Sequence, residues 1–316
     1  ERHEGAGLPT ILTYGHGDTV PAMAGQWAKA RDPLDLSQEG DLWFGRGIAD
    51  NKGQHLINLR AISAVLEARG KLGFNVKLIL EMGEEAGSPG LHDVARAEGE
   101  RLKADLFLAS DGPRLDAMSP TIFLGARGGA GFKLSIKRRI GGRHSGNFGG
   151  AIANPGVELA NAIACIINEH GHLKIEAWKP KSLPQAARRA LEGITPVAGE
   201  VDAWWGEPDL TPAERVHAWV AAEILAFTCG TPDRPVNAIP PEAHAWLQLR
   251  FVQGVDISRI EEALRAHLDA YGFDQVEITP EGPAFAASQT PTDHPFAQFI
   301  ATSLTQTSGA APVVLP

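Results

Sequence analysis

Three runs of mostly apolar residues in this chain are each followed directly by histidine or acidic residues. The runs occupy residues 9–14, 75–83 and 104–110. Continuous apolar runs are typical of strands that are buried on both faces of a parallel sheet. The residues that follow the three runs are His16 and Asp18, Glu84 and Glu85, and Asp111. Ligand sites in open α/β sheets form at the carboxyl ends of strands, so these side chains and Asp50 are predicted to converge in one crevice.

Segments with a helical pattern of apolar residues lie between the apolar runs. Leucine and isoleucine recur at helical intervals over residues 54–66, before Gly70, and residues 91–102 have a second amphipathic pattern. Strands that alternate with helices predict an α/β domain with a mainly parallel sheet and helices on both faces.

The pattern changes near residue 125. Residues 132–137 and 243–251 alternate with period two, as half-exposed strands do, and residues 155–170 and 257–271 are predicted helices. These segments predict an inserted α+β module, while residues 176–235 have no clear pattern. The expected boundaries are 1–125 for the first part of the metal-binding domain, 126–287 for the inserted module and 288–316 for the return to the first domain. Both ends look truncated.

Composition narrows the class of protein. The chain has 316 residues, 43% of them hydrophobic, and a net charge of −9 with pI ≈ 5.7. This acidic balance argues against nucleic acid as a partner, and no apolar stretch approaches the ~20 residues of a membrane span. Two distant cysteines, Cys165 and Cys229, do not form a disulfide framework, which favours a cytoplasmic location. The sequence leaves open whether the native N-terminus carries a signal peptide.

Each polar motif has an ordinary explanation beside the functional one. His16 and Asp18 point the same way on an extended segment, so Asp18 can orient a metal-bound His16, or both can simply form a polar turn. Asp50 precedes a predicted helix as either an N-cap or a metal ligand. Asp111 either opens a turn or binds metal.

The pair Glu84 and Glu85 places like charges side by side at a strand end. The pair either begins a solvated helix, or one carboxylate binds metal while the other serves as general base. One imidazole with several carboxylates suits a hydrolytic pair of dications better than a structural zinc site, which prefers cysteine.

These motifs resemble a known family. The segments 15–22, 45–53, 83–88 and 110–111 are similar to the dinuclear zinc aminoacylase, acetylornithine deacetylase and dipeptidase family of metallopeptidases. Residues 143–155 are most similar to the branch that contains carnosinase and cytosolic nonspecific dipeptidase. The resemblance covers nearly the whole chain.

The resemblance implies a site with two divalent metal ions, zinc first, with manganese or cobalt as alternatives. The implied metal ligands are His16, Asp50, Glu85 and Asp111, with Asp50 bridging the two ions. Glu84 is implied as the general base and acid, which takes a proton from the water that becomes hydroxide between the metals and passes it to the leaving nitrogen. Asp18 is implied as the partner that orients His16.

The resemblance also implies that the inserted module is a lid through which a homodimer forms. His144 would reach the active site of the partner subunit and stabilise the oxyanion, while Asn237 and Arg250 would hold the substrate. Arg250 suits a carboxylate because its guanidinium group is a bidentate fork. The family's last metal-binding histidine lies near the C-terminus, beyond a glycine-rich substrate loop, and neither feature has a match in this chain. His294 lies before the predicted helix and does not correspond to that histidine.

The expected reaction is hydrolysis of the amide bond of a dipeptide, or of a similar substrate with a free carboxylate. Two alternatives remain open. One is hydrolysis of N-acyl or N-carbamoyl amino acids, as in deacetylases and desuccinylases of the same family. The other is a catalytically inactive relative that binds a peptide.

Overall fold

The chain forms two compact units in a computed structural model that describes residues 1–112, 114–115, 118–196 and 201–316. The first unit is Glu1–Pro113 and the second is Arg114–Pro316. Each unit has its own sheet system and is described by itself.

A parallel sheet organises the first unit. The strands of this unit are β1 (Thr10–His16), β2 (Ser37–Glu39), β3 (Leu42–Phe44), β4 (Asn75–Glu81) and β5 (Leu106–Ala109). Its helices are α1 (Lys52–Arg69), α2 (Leu91–Ala97) and α3 (Gly99–Leu102), with short 3-10 turns at Ala28–Ala30 and Glu84–Ala86. Strand β1 lies between β4 and β5 and is parallel to both, so the carboxyl ends of all three strands lie at one edge.

The start of α1 requires a close backbone approach. A Cβ atom on Gly53 would lie 2.0 Å from the carbonyl oxygen of Ile48, so only glycine fits there. This contact brings the loop before α1, which carries Asp50, against the first turn of the helix. Helix α1 ends at Arg69 and is followed by Gly70, which adopts the left-handed conformation that glycine tolerates without strain.

The second unit is built on a four-stranded antiparallel sheet. The strands of this unit are β6 (Thr121–Phe123), β7 (Gly125–Ala126), β8 (Gly128–Lys137), β9 (Arg143–His144), β10 (Ala221–Cys229), β11 (Ala238–Ile239), β12 (Glu242–Phe251), β13 (Glu277–Pro280), β14 (Ser288–Gln289) and β15 (Val313–Leu315). Its helices are α4 (Ser145–Phe148), α5 (Pro155–Ile166), α6 (Gln185–Ala190), α7 (Pro212–His217), α8 (Ile260–Ala270) and α9 (Pro295–Ser308), with 3-10 turns at Glu176–Trp178 and Ile257–Arg259. The main sheet has the order β10-β12-β8-β13.

Helices α5 and α8 contribute to the hydrophobic core that forms on the main sheet. Every second residue of β12, from Ala243 to Phe251, is buried, which gives the strand the alternation predicted from the sequence. Trp178 is fully buried in the same core, and its indole nitrogen donates a hydrogen bond of 3.0 Å to the carbonyl oxygen of Ile260. The bond satisfies a buried donor that would otherwise cost free energy.

The predicted fold class is confirmed, because a parallel α/β unit is followed by an α+β module. The predicted boundaries stay a prediction. Strand β15, from the predicted return segment 288–316, pairs in parallel with β6, from the predicted segment 1–125, which is compatible with those boundaries. Several predicted helices differ in extent from the observed ones. The helix expected over 91–102 is divided at Glu98 into α2 and α3, and the helix expected over 155–170 ends at Ile166.

Among the described residues, no helix combines the length and hydropathy that a membrane crossing requires. The cytoplasmic location expected from the cysteine content stays a prediction.

Truncation of Ile136 in β8 is expected to lower the free energy of unfolding of the second unit by about 2–5 kcal/mol, because its side chain is fully buried. Ile140 is a matched control, since it is 96% exposed and Ile140→Ala is expected to change stability by no more than ~0.5 kcal/mol. Urea unfolding followed by tryptophan fluorescence measures both variants. Equal midpoints for Ile136→Ala and Ile140→Ala would contradict the placement of β8 in the core.

Candidate metal centre

The side chain of His16 lies at the centre of a group of carboxylates. His16 is the last residue of β1 and is fully buried. Its Nε2 atom is 3.0 Å from Asp50 Oδ1, 3.7 Å from Asp111 Oδ2 and 3.9 Å from Glu84 Oε2. The imidazole therefore directs one nitrogen into the space that the carboxylates surround.

The three acids come from three different places in the chain. Asp50 precedes α1, Glu84 follows β4 in a 3-10 turn, and Asp111 follows β5. The sequence predicted that these residues meet at the carboxyl edge of the sheet, and the structure brings them together around His16. One ligand atom each from His16, Asp50 and Asp111 lies within 4.8 Å of the others, a spacing that can hold a metal ion.

The group is buried on the imidazole side and open on the carboxylate side. The side chain of His16 is 1% exposed, whereas those of Asp50 and Glu84 are 66% and 40% exposed. A ligand can therefore approach the carboxylates from solvent while the imidazole stays fixed.

Negative charge dominates the surroundings of His16. Burial raises the pKa of Glu84 and of Asp111, and the neighbouring carboxylates raise both further, although His16 opposes the change. Burial acts to lower the pKa of His16, but the surrounding acids outweigh it and raise the net value. Within the described ranges, no lysine or arginine forms an ion pair with Asp50, Glu84 or Asp111. Carboxylates that crowd together in this way favour a bound cation.

Asp18 contacts His16 but mainly holds the turn that carries Glu84. Its Oδ1 atom is 3.3 Å from His16 Nδ1, without the alignment of a hydrogen bond. Its two oxygens accept hydrogen bonds from the backbone N–H groups of Glu84 at 3.2 Å and Glu85 at 3.0 Å. Burial acts to raise the pKa of Asp18, but these backbone donors outweigh it and lower the net pKa. The orienting role predicted for Asp18 stays a prediction.

Glu85 lies outside the group formed by His16, Asp50 and Asp111. Its Oε1 atom accepts a hydrogen bond of 3.1 Å from the backbone N–H of Val20. The carboxylate still raises the pKa of Glu84 and Asp111 through space. Its role as a ligand of a second metal ion stays a prediction.

A second acid supports the turn that carries Glu84. Glu81, the last residue of β4, accepts hydrogen bonds from the hydroxyl groups of Tyr14 and of Ser88, the latter at 2.9 Å. Burial and the bond to Glu81 raise the pKa of Tyr14, so the phenol remains a donor. The turn is thus held at both ends: Asp18 accepts hydrogen bonds from its first N–H groups, and Ser88, which follows it, donates to Glu81.

Asn51 is a buried polar residue that the sequence analysis did not select. It follows Asp50 as the N-cap of α1, and its amide group contacts both Asp111 and the backbone of His16. Asparagine before a helix is commonly a cap, so the sequence offered no separate signal for this role.

The three predicted lid residues all lie in the second unit. His144 ends β9, is exposed, and accepts a hydrogen bond of 3.1 Å from the backbone N–H of Gly146 through Nδ1. Asn237 is its neighbour, because the Asn237 carbonyl accepts a bond of 2.9 Å from the N–H of Ser145. Arg250 lies near the far end of β12, with its guanidinium carbon 5.6 Å from the centre of the Phe285 ring.

The donor set in the first unit fits a divalent metal ion. Imidazole nitrogen and carboxylate oxygen are the ligands through which zinc, manganese and cobalt bind in hydrolytic sites. His16 would contribute Nε2, and Asp50 and Asp111 would contribute oxygens, because these atoms already face one another. The geometry therefore identifies the place for one ion.

The chain is similar to known proteins over most of its length. A sequence model of Peptidase family M20/M25/M40 matches residues 12–316. A cysteinylglycine-S-conjugate dipeptidase of Corynebacterium striatum is 30% identical over 301 residues, which is 87% of this chain and 64% of the relative. A human Beta-Ala-His dipeptidase is 34% identical over 273 residues, which is 82% of this chain and 53% of the relative. The chain therefore spans less than two thirds of the length of these two curated relatives.

A solved structure shares the fold. The M20 family metallo-carboxypeptidase Sso-CP2 from Sulfolobus solfataricus superposes with a TM-score of 0.83 at 27% identity, covering 98% of this chain and 71% of that one. The resemblance stated from the sequence motifs is confirmed.

Proposed function

The chain belongs to Peptidase family M20/M25/M40, and from this premise we propose that it is a dinuclear metal hydrolase for dipeptides. The proposed reaction is hydrolysis of the amide bond of a dipeptide, or of a similar substrate that carries a free carboxylate. The observation that carries the proposal is the convergence of His16, Asp50 and Asp111 within 4.8 Å, next to Glu84. The dipeptidase names of the two relatives favour dipeptides over acyl or carbamoyl amino acids.

Two divalent ions are proposed, with zinc first and manganese or cobalt as alternatives. His16, Asp50 and Asp111 would hold one ion, and Asp50 and Glu85 would contribute to the other. When bound, such a pair lowers the pKa of water and polarises the scissile carbonyl group.

Glu84 is the proposed proton carrier. Its carboxylate is 40% exposed and lies 3.9 Å from His16 Nε2, so it can reach both a water molecule and a substrate at the open side of the group. The Asp18 carboxylate fixes the backbone of Glu84, and hence the direction of its side chain. Glu84 would take a proton from water and return it to the leaving nitrogen, as general acid–base catalysis requires.

The lid residues are proposed to bind the substrate in a homodimer. His144 and Ala238 pair across β9 and β11, just before the start of β12, whereas Arg250 lies near its end. Arg250 is eight residues beyond Glu242, the first residue of β12, which is about 26 Å at the usual strand rise. His144 and Arg250 of one chain are therefore poorly placed to hold the same small dipeptide. This distance supports the proposal that His144 serves the active site of the partner subunit.

An exposed edge of the main sheet supports dimer formation. Strand β10 is at the edge of the sheet, and its Leu225 and Phe227 side chains are 62% and 42% exposed. Apolar edge strands tend to pair with another chain unless they are protected. We propose that a second copy of this chain covers β10.

The test is metal content measured together with turnover. The full-length gene product should contain two divalent ions per subunit by plasma emission and should release free amino acids from a dipeptide panel. Dialysis against a chelator should abolish turnover, and zinc or manganese should restore it. Dipeptides with an amidated C-terminus are matched controls and should be poor substrates if the free carboxylate is recognised.

Two results would change the proposal. Turnover of N-acyl or N-carbamoyl amino acids in preference to dipeptides would move the substrate class within the same family. One ion or none, with no turnover after zinc or manganese is added, would favour a peptide-binding protein.

A further inference from the structure

The amide group of Asn51 uses all of its hydrogen-bonding capacity next to the metal-binding group. Asn51 is fully buried. Its Nδ2 donates to the carbonyl oxygen of Ser110 at 2.7 Å and to Asp111 Oδ1 at 2.8 Å. Its Oδ1 accepts from the backbone N–H of His16 at 3.2 Å and contacts His55 Nδ1 at 2.9 Å. An amide has two donor hydrogens and two acceptor positions, so none is left over.

These bonds decide which oxygen of Asp111 can face a cation. Asn51 engages Oδ1 of Asp111, while Oδ2 is 3.7 Å from His16 Nε2. The same amide holds the backbone of His16 at the end of β1. One side chain therefore fixes the carboxylate of Asp111 and the residue that carries the imidazole.

His55 adds a fourth hydrogen bond to the Asn51 amide. Asn51 Oδ1 has no proton, so His55 Nδ1 must carry the hydrogen and donate it. The direction of the amide is set by backbone groups, because with the amide reversed Nδ2 would face the His16 N–H and Oδ1 would face the Ser110 carbonyl oxygen, which is unfavourable. The imidazole of His55 lies directly on β1, because a Cβ atom on Gly15 would be 2.5 Å from His55 Nδ1.

We propose that Asn51 and His55 are positioning residues of the metal centre, in which His55 holds the Asn51 amide in place through its oxygen and Asn51 presents Asp111 Oδ2 and His16 to the cation. The proposal rests on the proposed function, since it requires that His16, Asp50 and Asp111 bind a divalent ion. Neither side chain belongs to the group of His16, Asp50 and Asp111 whose ligand atoms face one another. Residues that orient metal ligands typically contribute 10–100-fold to metal affinity.

The experiment measures the zinc dissociation constant of the full-length protein by competition with a chromophoric chelator, and the melting temperature of the metal-free form. Asn51→Ala is expected to weaken zinc binding by about 10–100-fold. His55→Leu is expected to weaken it by a smaller factor, and His55→Gln, which keeps a donor for Asn51 Oδ1, should restore most of the affinity. Because His55 acts through Asn51, the double variant Asn51→Ala/His55→Leu should bind zinc no more weakly than Asn51→Ala alone.

Asn58→Ala is the matched control. Asn58 lies on the same helix and its side chain donates to Ser110 Oγ at 2.9 Å, but it has no hydrogen bond to Asp111 among the described contacts. Its loss should leave zinc affinity unchanged. If the role of Asn51 is purely structural, Asn51→Ala will lower the melting temperature of the metal-free protein but leave the zinc affinity of the folded protein unchanged.

The outcomes separate this inference from the function on which it rests. Absence of zinc binding by the wild-type protein would overturn the proposed function. If Asn51→Ala and His55→Leu both bind zinc as tightly as the wild-type protein does, the positioning role alone is overturned. Multiplied effects in the double variant would overturn the relay through Asn51. If Asn51→Ala does not fold, the comparison of His55→Leu with His55→Gln decides, since equal affinities of these two variants would overturn the proposal.

Discussion

Replacement of Glu84 by glutamine is expected to abolish turnover while the metal content stays near the wild-type value. Glutamine preserves the shape of the side chain and the backbone bond from Glu84 to Asp18, but it cannot accept the proton. General acid–base groups contribute about 10²–10⁴-fold to rate, so kcat is expected to fall by that factor. Plasma emission on the same protein sample, together with dipeptide turnover, measures both quantities.

Two other glutamates sharpen the comparison. Glu85→Gln removes a proposed metal ligand and should lower metal content as well as turnover. Glu98→Gln is a surface control, because the Glu98 side chain is 43% exposed and pairs with Arg101 at 2.9 Å. If Glu84→Gln loses metal along with activity, Glu84 is a ligand and the proton carrier must be sought elsewhere.

The parallel sheet could be predicted because each of its strands is encoded locally. Strands β1, β4 and β5 are short apolar runs, and α1 lies between β1 and β4 in the order that a parallel connection requires. The division between α2 and α3 was harder to predict. Residues 91–102 keep amphipathic spacing throughout, and the break depends on the backbone conformation of Glu98 before Gly99.

Strand β10 escaped prediction for a physical reason. Its pairing with β12 shifts register between Ile224 and Ala226, and such a bulge interrupts the alternation by which a strand is recognised in sequence. Exposed apolar residues at an edge, such as Leu225 and Phe227, remove the remaining contrast between the two faces. The pattern over residues 176–235 therefore gave no signal for the strand that completes one side of the main sheet.

The metal-binding group could be predicted in outline but not in detail. His16, Asp50, Glu84 and Asp111 each follow or precede a recognisable element, so a rule about strand ends was enough to bring them together. The role of Asn51 depends on bonds to residues about 60 positions away in sequence, Ser110 and Asp111. No local spacing encodes such a contact, and it becomes visible only when the strands are assembled.

Two inactive variants are expected to complement each other if the active site is shared between subunits. His144→Ala alone should lower kcat by about 10²–10³-fold, the usual loss for one oxyanion donor. Glu84→Ala should be inactive for lack of a proton carrier. A heterodimer of these variants, purified through two different affinity tags, should contain one intact site, with Glu84 from one subunit and His144 from the other. In a twofold dimer this corresponds to about half of the wild-type activity per dimer.

The reciprocal heterodimer provides the control, because it contains the same two substitutions in a different arrangement. A wild-type subunit paired with a Glu84→Ala/His144→Ala subunit has no intact site if His144 acts on the partner, since the wild-type Glu84 then faces the substituted histidine. If His144 acts within its own subunit, the expectations are reversed: this second heterodimer keeps about half of the activity and the first one has none. The separation of His144 from Arg250 along β12 favours the first pattern. Equal inactivity of both heterodimers, after verified assembly, would remove His144 from the catalytic residues of a shared site.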